Sequence, residues 1–410
     1  MTTVETSNPA IVVGGIFPGL GTVQSLGSKG VRCWICDPQR AIGTRSRYAR
    51  YRWIPDPRRD EAGMIDALVD LAARQPAPPV LIPTDDHHAM ALARNYDRLA
   101  SVAIPCVAPA DVVALVVDKN RFSDWAVARG YSAPKTAGAN EFDLSFDFPV
   151  VAKPVTKSFF NVLARDLPEG TEPTDLRFTL IENEAEWDDY RRRNRANLEH
   201  VVVQEFVPGN TADMYSIGVY ANADSEVTAL FAGRKLRGYP AMYGNTKLGQ
   251  NDRVPETVLD EVARLSRDIG LRGIAEFEYK RDPETGAFRL IEVNPRCWSW
   301  IAVTADSPAD VPWLAYRDLT GQGAPTAIYN EEPGAIKYVH FLSDITNILV
   351  RYRWDHPEWV MPLRQWWRSL DADRLVVAEF NRRDWPVAVW SLLLFAAQTF
   401  GFIRQKLIRR

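Results

Sequence analysis

Glu292, Asn294 and Arg296 occupy alternate positions in the run Arg289-Leu-Ile-Glu-Val-Asn-Pro-Arg296. Residues two apart on a strand project to the same face, so a carboxylate and a carboxamide stand side by side there. Hard oxygen donors of this kind suit Mg2+ that is also held by phosphates. Arg296 follows as a planar fork for a phosphate or carboxylate. An earlier run, Gly273-Ile-Ala-Glu-Phe-Glu-Tyr279, carries Glu276 and Glu278 two apart, and Asp282-Pro-Glu-Thr-Gly286 between the runs reads as a turn. The two strands then form a hairpin that sets a second carboxylate, from Glu276 or Glu278, next to Glu292. A solvated acidic hairpin is the plainer reading. It is disfavoured because Ile291 and Val293 make the other face apolar and Trp298, Trp300 and Ile301 follow at once; carboxylates in such surroundings need a counter-ion.

Several cations stand where an anion would be useful. Lys153 lies in Phe148-Pro-Val-Val-Ala-Lys-Pro154, a strand setting in which an unpartnered ammonium is costly. Val155-Thr-Lys-Ser-Phe-Phe-Asn161 after it reads as a loop suited to fold over phosphates; it has no glycine, and Lys157 and Ser158 could compensate. Gly233-Arg234-Lys235-Leu-Arg237 puts three cations in four residues where an apolar strand enters a Gly/Pro-rich loop, which favours anion contact over a solvated edge. Arg45, Arg47 and Arg50 form a basic loop suited equally to an anionic substrate or to solvent. In Thr84-Asp-Asp-His-His88 a metal reading competes with helix capping. Capping by Thr84, with acids in the first turn, is preferred, and substrate contact comes second.

The elements that must carry these groups follow from length and pattern. At 410 residues, roughly two or three domains are expected. A net charge of −3 argues against a general nucleic-acid binder. Cys33 and Cys36 have CxxC spacing inside an apolar strand with no second pair, so buried free thiols are preferred over a redox or zinc site. The first residues show no basic region followed by an apolar run, which fits a reducing cytoplasm. Ala10–Gly14, a glycine-containing turn with a helix from Thr22, and Val31–Asp37 make a β-α-β unit. Its glycines do not follow G-x-G-x-x-G, so an α/β scaffold is preferred to a dinucleotide site. Amphipathic helices are expected over Glu61–Arg74 and Pro255–Ile269. Near the end, Val387–Ile403 is almost free of charge and Arg404-Gln-Lys-Leu-Ile-Arg-Arg410 is basic. That stretch is short for a membrane span; docking on the fold is preferred, with peripheral contact to an anionic membrane second.

Glu-Phe-Glu-Tyr279 followed by Ile-Glu-Val-Asn-Pro-Arg296 resembles the metal-binding end of the ATP-grasp ligases. The run Gly-Arg-Lys-Leu-Arg237 with Asn-Pro-Arg-Cys-Trp298, and the earlier Ser46-Arg-Tyr48 and Pro83-Thr-Asp85, is similar to the carboxylate–amine ligase branch near D-aspartate ligase. The resemblance covers about residues 10 to 320. It implies a mixed α/β and α+β chain: a Rossmann-like pre-ATP-grasp domain (1–115), an ATP-grasp domain (116–325, with subdomains of about 120–207 and 208–325), and a helical C-terminal extension (326–410). By resemblance, Lys119 and Lys153 meet the α- and β-phosphates. Glu205, Phe206 and Val207 form the adenine hinge, and Asp213 stands near the ribose acid. Lys235 lies among the nucleotide-binding residues. Glu278, Glu292 and Asn294 hold Mg2+ (or Mn2+), with Glu276 competing for the first place. Arg296 and Arg234 stabilise developing charge. The implied reaction joins a carboxylate to an amine through an acyl phosphate, releasing ADP. The alternatives are a non-catalytic or membrane-associated ATP-binding protein, and a nucleotide-dependent oxidoreductase using the N-terminal unit. A homodimer is one option for the oligomeric state.

Overall fold

The computed structural model describes residues 7–144, 146–155, 178–241, 244–355 and 357–408. The first sheet contains β1 (Ala10–Val13), β2 (Cys33–Asp37), β3 (Ala49–Trp53), β4 (Val80–Pro83) and β5 (Ile104–Pro105), in the order β3-β2-β1-β4-β5. All its pairings are parallel. Buried parallel strands demand apolar runs on both faces, and Ala-Ile-Val-Val13 and Val-Leu-Ile-Pro83 are fully buried. Helix α1 (Phe17–Gly27) crosses from β1 to β2. Helix α2 (Asp86–Arg94) starts where β4 ends.

The second sheet is antiparallel and smaller. Its strands β6 (Thr136–Gly138), β7 (Val150–Pro154), β8 (Thr179–Ile181) and β9 (Val201–Glu205) run in the order β6-β9-β7-β8. Helix α3 (Lys119–Ala128) leads into it; its N-cap Asp118 accepts the N–H groups of Asn120 and Arg121.

The third sheet is the largest. Its strands are β10 (Met214–Ala221), β11 (Val227–Tyr239), β12 (Asn245–Asn251), β13 (Gly273–Arg281), β14 (Phe288–Asn294), β15 (Ala327–Tyr329), β16 (Ile336–Val339) and β17 (Arg374–Val377). The order is β14-β13-β10-β11-β12-β16-β17, with β15 beside β11. Helix α4 (Glu256–Ile269) packs its apolar side on one face and ends at Gly270, whose φ of 71° is the left-handed conformation that suits glycine at a helix C-terminus. Trp298 and Trp300 cover part of the other face. The sheet makes room for them with Gly218 and Gly233, where a β-carbon would collide with the two indoles.

Two expectations change here. The segment after residue 325 is helical only in part, because β15, β16 and β17 complete the large sheet. The cation-rich run at 233–239 is not a loop: β11 continues through it to Tyr239. Arg237 is consequently buried, in an ion pair with Asp344 at 2.6 Å, and Asp344 also accepts from Trp366 Nε1 at 2.8 Å. Asp344 lies in helix α5 (Phe341–Thr346), so this pair ties the late segment to β11.

The last helix, α6 (Trp385–Ile408), begins docked. Asp384 just before it is fully buried and accepts from Gln24 Nε2, Ser46 Oγ and the Arg47 N–H at 2.9, 2.6 and 2.8 Å. The Arg45 guanidinium lies 3.8 Å from the Trp390 ring centre. The basic loop therefore seats this helix through the Arg45 guanidinium and the Arg47 backbone N–H, while the Arg47 side chain stays exposed.

Removing one member of a buried ion pair strands the other, which typically costs about 3–5 kcal/mol. Asp344→Ala should lower unfolding stability by about that amount in a urea melt, whereas Asp371→Ala on the exposed surface nearby should change it by less than about 0.5 kcal/mol.

Candidate functional site

The site is built on one face of the β13–β14 hairpin. Register pairs Glu278 with Glu292 and Glu276 with Asn294. β10 lies alongside, with Ser216 opposite Glu278 and Gly218 opposite Glu276. All of these side chains share a face because paired residues in an antiparallel ladder project the same way. The carboxamide of Asn294 links the acids: its Nδ2 donates to Glu276 Oε2 at 3.1 Å and to Glu292 Oε1 at 3.2 Å. Its Oδ1 accepts from Arg296 Nη2 at 3.0 Å.

The two candidate first ligands differ in setting. Glu276 is buried beneath the site, and burial together with the Glu278 charge pushes its carboxyl up to about 7, against the pull of Lys235 and Arg296. Glu278 is partly exposed and faces Lys235 Nζ at 3.0 Å. Burial disfavours the Lys235 charge, but Glu278 and Glu276 outweigh it and raise that pKa. Glu278 and Glu292 thus form the open edge of the site, and Glu276 its buried, protonatable floor.

Arg296 is held from the first domain. Its Nε donates to Asp86 Oδ1 at 2.9 Å, with both side chains largely buried. The adjacent Cys297 N–H donates to Pro83 O at 3.2 Å. The end of β4 therefore meets the end of β14. The cap of α2 is Asp85, which accepts the His87 N–H at 2.9 Å, and not Thr84, whose hydroxyl donates to Val13 O. That assignment frees Asp86 for Arg296. Sequence reasoning counted Asp86 among first-turn acids; its position just past the carboxyl end of a parallel strand was the available signal.

Lys119 enters the same place. A small cleft between the domains is lined by Asp86, Val116, Lys119, Glu292 and Asn294. Lys119 Nζ donates to Val155 O at 3.3 Å, just beyond the strand that carries Lys153. Lys153 Nζ donates to Gln204 Oε1 at 2.7 Å. Lys157 and Ser158, expected over the phosphates, lie outside the described residues.

Arg234 does not join them. In the extended β11 it pairs with Tyr215, on the opposite face from Lys235. There it donates to Ala212 O, lies 3.7 Å from Asp252 and sits over the Tyr215 ring. The cation that β11 presents to the carboxylates is Lys235. Reading a loop where a strand continues concealed this alternation.

In overall architecture the chain matches solved structures along most of its length. An N5-carboxyaminoimidazole synthetase from Staphylococcus aureus superposes with a TM-score of 0.62 at 16% identity, covering 87% of this chain and 88% of that one. The biotin carboxylase domain of a Hydrogenobacter thermophilus 2-oxoglutarate carboxylase gives 0.58 at 13% identity, covering 81% and 74%. An L-amino acid ligase from Bacillus licheniformis gives 0.54 at 13%, covering 77% and 75%. The chain has the ATP-grasp fold. No family model matches the sequence. A D-aspartate ligase of Enterococcus faecium (strain Aus0004) is 27% identical over 192 residues, 43% of this chain and 44% of that protein. The match thus spans less than half the length of that curated relative.

In an ATP-grasp frame the remaining expected residues fall at the junction of the second and third sheets. The Glu205 N–H donates to Lys135 O at 2.9 Å, and the Phe206 N–H to Pro149 O at 3.2 Å. The Glu205 side chain pairs with Arg289 of β14 at 2.9 Å, bridging the two sheets. Val207 is buried. Asp213 accepts the Asn210 N–H at 2.9 Å, closing a capping box around the Thr211–Asp213 turn. Lys280, missed by the sequence reading, lies on the carboxylate face with Nζ 5.0 Å from the centre of the Phe206 ring. Burial lowers its pKa to about 8, with Asp213 the opposing charge.

Among the described residues no three His, Cys, Asp or Glu side chains form a metal-ligand group. The donors here are two carboxylates and a carboxamide on adjacent strands. That fits Mg2+, which is usually held by one or two carboxylates with water and phosphate completing the shell. Glu278→Gln and Glu292→Gln should each weaken Mn2+ binding about tenfold or more, read by water-proton relaxation in the presence of ATP. Glu276→Gln should leave it within about twofold.

Proposed function

We propose that this protein is an ATP-dependent ligase that joins a small-molecule carboxylate to an amine, with ATP and Mg2+ as cofactors and ADP and phosphate as products. The observation that carries this is the convergence of Glu278, Glu292 and Asn294 with Lys235 and Arg296 on one sheet face, against the carboxyl end of the first sheet. Mg2+ held at this face would supply charge neutralisation to the polyphosphate. Glu278, Glu292 and Asn294 would hold it, Lys119 and Lys153 would hold phosphate oxygens, and the Glu205–Val207 segment with Phe206 would receive the base. Arg296, oriented by Asp86 and Asn294, would stabilise negative charge as the carboxylate attacks and an acyl phosphate forms. Apolar cover from Trp298 and Trp300 would help to exclude water. The fold is shared by a carboxylase domain as well as by a ligase, and the partial match to a D-aspartate ligase supports the ligase reading.

The oxidoreductase alternative loses its main residue. The acid after β2, Asp37, accepts the Gly15 N–H at 2.6 Å and the Gln39 N–H at 2.7 Å, so it is engaged in its own turn.

A second reading concerns α6. Among the described residues no helix is long and apolar enough to cross a membrane. Trp385, Val389, Leu392 and Leu393 are nonetheless exposed, at 62, 49, 50 and 58%. We propose peripheral contact of this face with an anionic membrane, supported by the basic residues Arg404, Lys406, Arg409 and Arg410. Vesicles rich in phosphatidylglycerol should co-float with the full chain, and Leu392→Glu with Leu393→Glu should abolish co-flotation.

The ligase reading is tested by ADP release from Mg-ATP across an array of carboxylic acids and amines. Release that requires one acid and rises with one amine is the expected result; ATP binding without release under any pair would refute it. Lys235→Met and Glu292→Ala should each reduce release by about a hundredfold or more. Arg234→Met, on the other face, should retain activity within about fivefold.

A further inference from the structure

The carboxylate face does not end at Lys235. Lys235 pairs with Gly249 of β12, and Gly249 pairs with Tyr338 of β16. Two residues further along these strands, Lys247 and His340 lie on the same face, and the His340 N–H donates to Lys247 O at 2.8 Å. The β12–β16 register is regular through this stretch, whereas the β11–β12 ladder shifts on either side of Arg237. The His340 ring packs 4.1 Å from that of Phe17, the first residue of α1. Lys247 is therefore placed where the glycine turn of the first domain meets the reaction face.

Its electrostatic setting is unusual for a lysine. Burial lowers its pKa to about 8, and Arg351 adds repulsion. The acids that act on it, Glu379 and Asp344, are committed elsewhere. Glu379 accepts the N–H groups of Phe341 and Leu342 and lies 2.6 Å from His340 Nδ1. Asp344 is held by Arg237 and Trp366. Among the described residues no carboxylate is within ion-pair distance of Lys247. A largely buried ammonium in that state is stabilised by an anion, and the attacking carboxylate would already have Arg296.

We propose that Lys247, backed by His340, receives a second carboxylate of the acid substrate, so that the enzyme selects short dianionic acids. This rests on the carboxylate-activating reading and adds the substrate class to it. Lys247 is then a specificity-determining residue remote from the transferred phosphoryl group.

The test uses acid pairs that differ by one carboxylate: propanoate and succinate, butanoate and glutarate, and alanine and aspartate in both enantiomers. With the full chain and saturating Mg-ATP, the dianionic member of at least one pair should be preferred about tenfold or more in kcat/KM for ADP release. Lys247→Met should erase that preference by raising KM for the acid, with KM for ATP within about twofold, and Lys247→Arg should recover part of it. A preference unchanged in Lys247→Met, or equal use of both members by the wild type, overturns the inference. If no acid supports ADP release, the ligase reading has failed separately, and calorimetric titration of the dianions in Mg-ADP decides this one. Binding weakened about tenfold by Lys247→Met, but not by Arg234→Met, sustains an anion site. Absence of binding, or binding indifferent to Lys247, overturns it.

Discussion

Charge compensation on a single sheet face governs this molecule. Glu276, Glu278, Glu292 and Asn294 are brought together by strand register, in surroundings dry enough to push one carboxyl up to about 7. Such a cluster is tolerable because Lys235 and Arg296 share the same desolvated space. Each set of charges offsets the other.

That constraint explains why three sheets must meet at one place. Lys235 comes from β11, the acids from β13 and β14, and the orientation of Arg296 from Asp86 on the first domain. Arg289 and Glu205 join the third sheet to the second. The glycines that admit Trp298 and Trp300 let the chain fold back over the face immediately after Arg296. The Arg296–Asp86 pair that orients the guanidinium thus also ties the third sheet to the first.

Much of this was legible in the sequence. Alternation of apolar and acidic residues announced the hairpin, and the β-α-β start and the α4 periodicity were equally plain. Glu292, Asn294 and Arg296 were singled out because their types are informative wherever the backbone places them, and Lys119 through the resemblance alone. Arg234 was misassigned because Gly233 and Gly238 suggested a loop, whereas pairing with β10 and β12 keeps the strand extended; tertiary contacts overrode local turn chemistry. Asp86 escaped because its partner is 210 residues away, and one sequence carries no signal of such a contact. Lys247 and His340 escaped for a related reason: they are brought together by β16, a four-residue strand far from β12 in the chain.

The late strands also bear on how the protein is made. β12 gains its outer neighbour only when β16 has been synthesised, 87 residues later by the Gln250–Lys337 pairing. Until then β12 is an unprotected edge, ready to template onto another chain. The Arg237 guanidinium likewise has no carboxylate until Asp344 leaves the ribosome. A nascent chain arrested between residues 300 and 335 would hold Glu278, Glu292 and Asn294 and still lack its finished sheet, which makes that interval the one in which a chaperone would matter most.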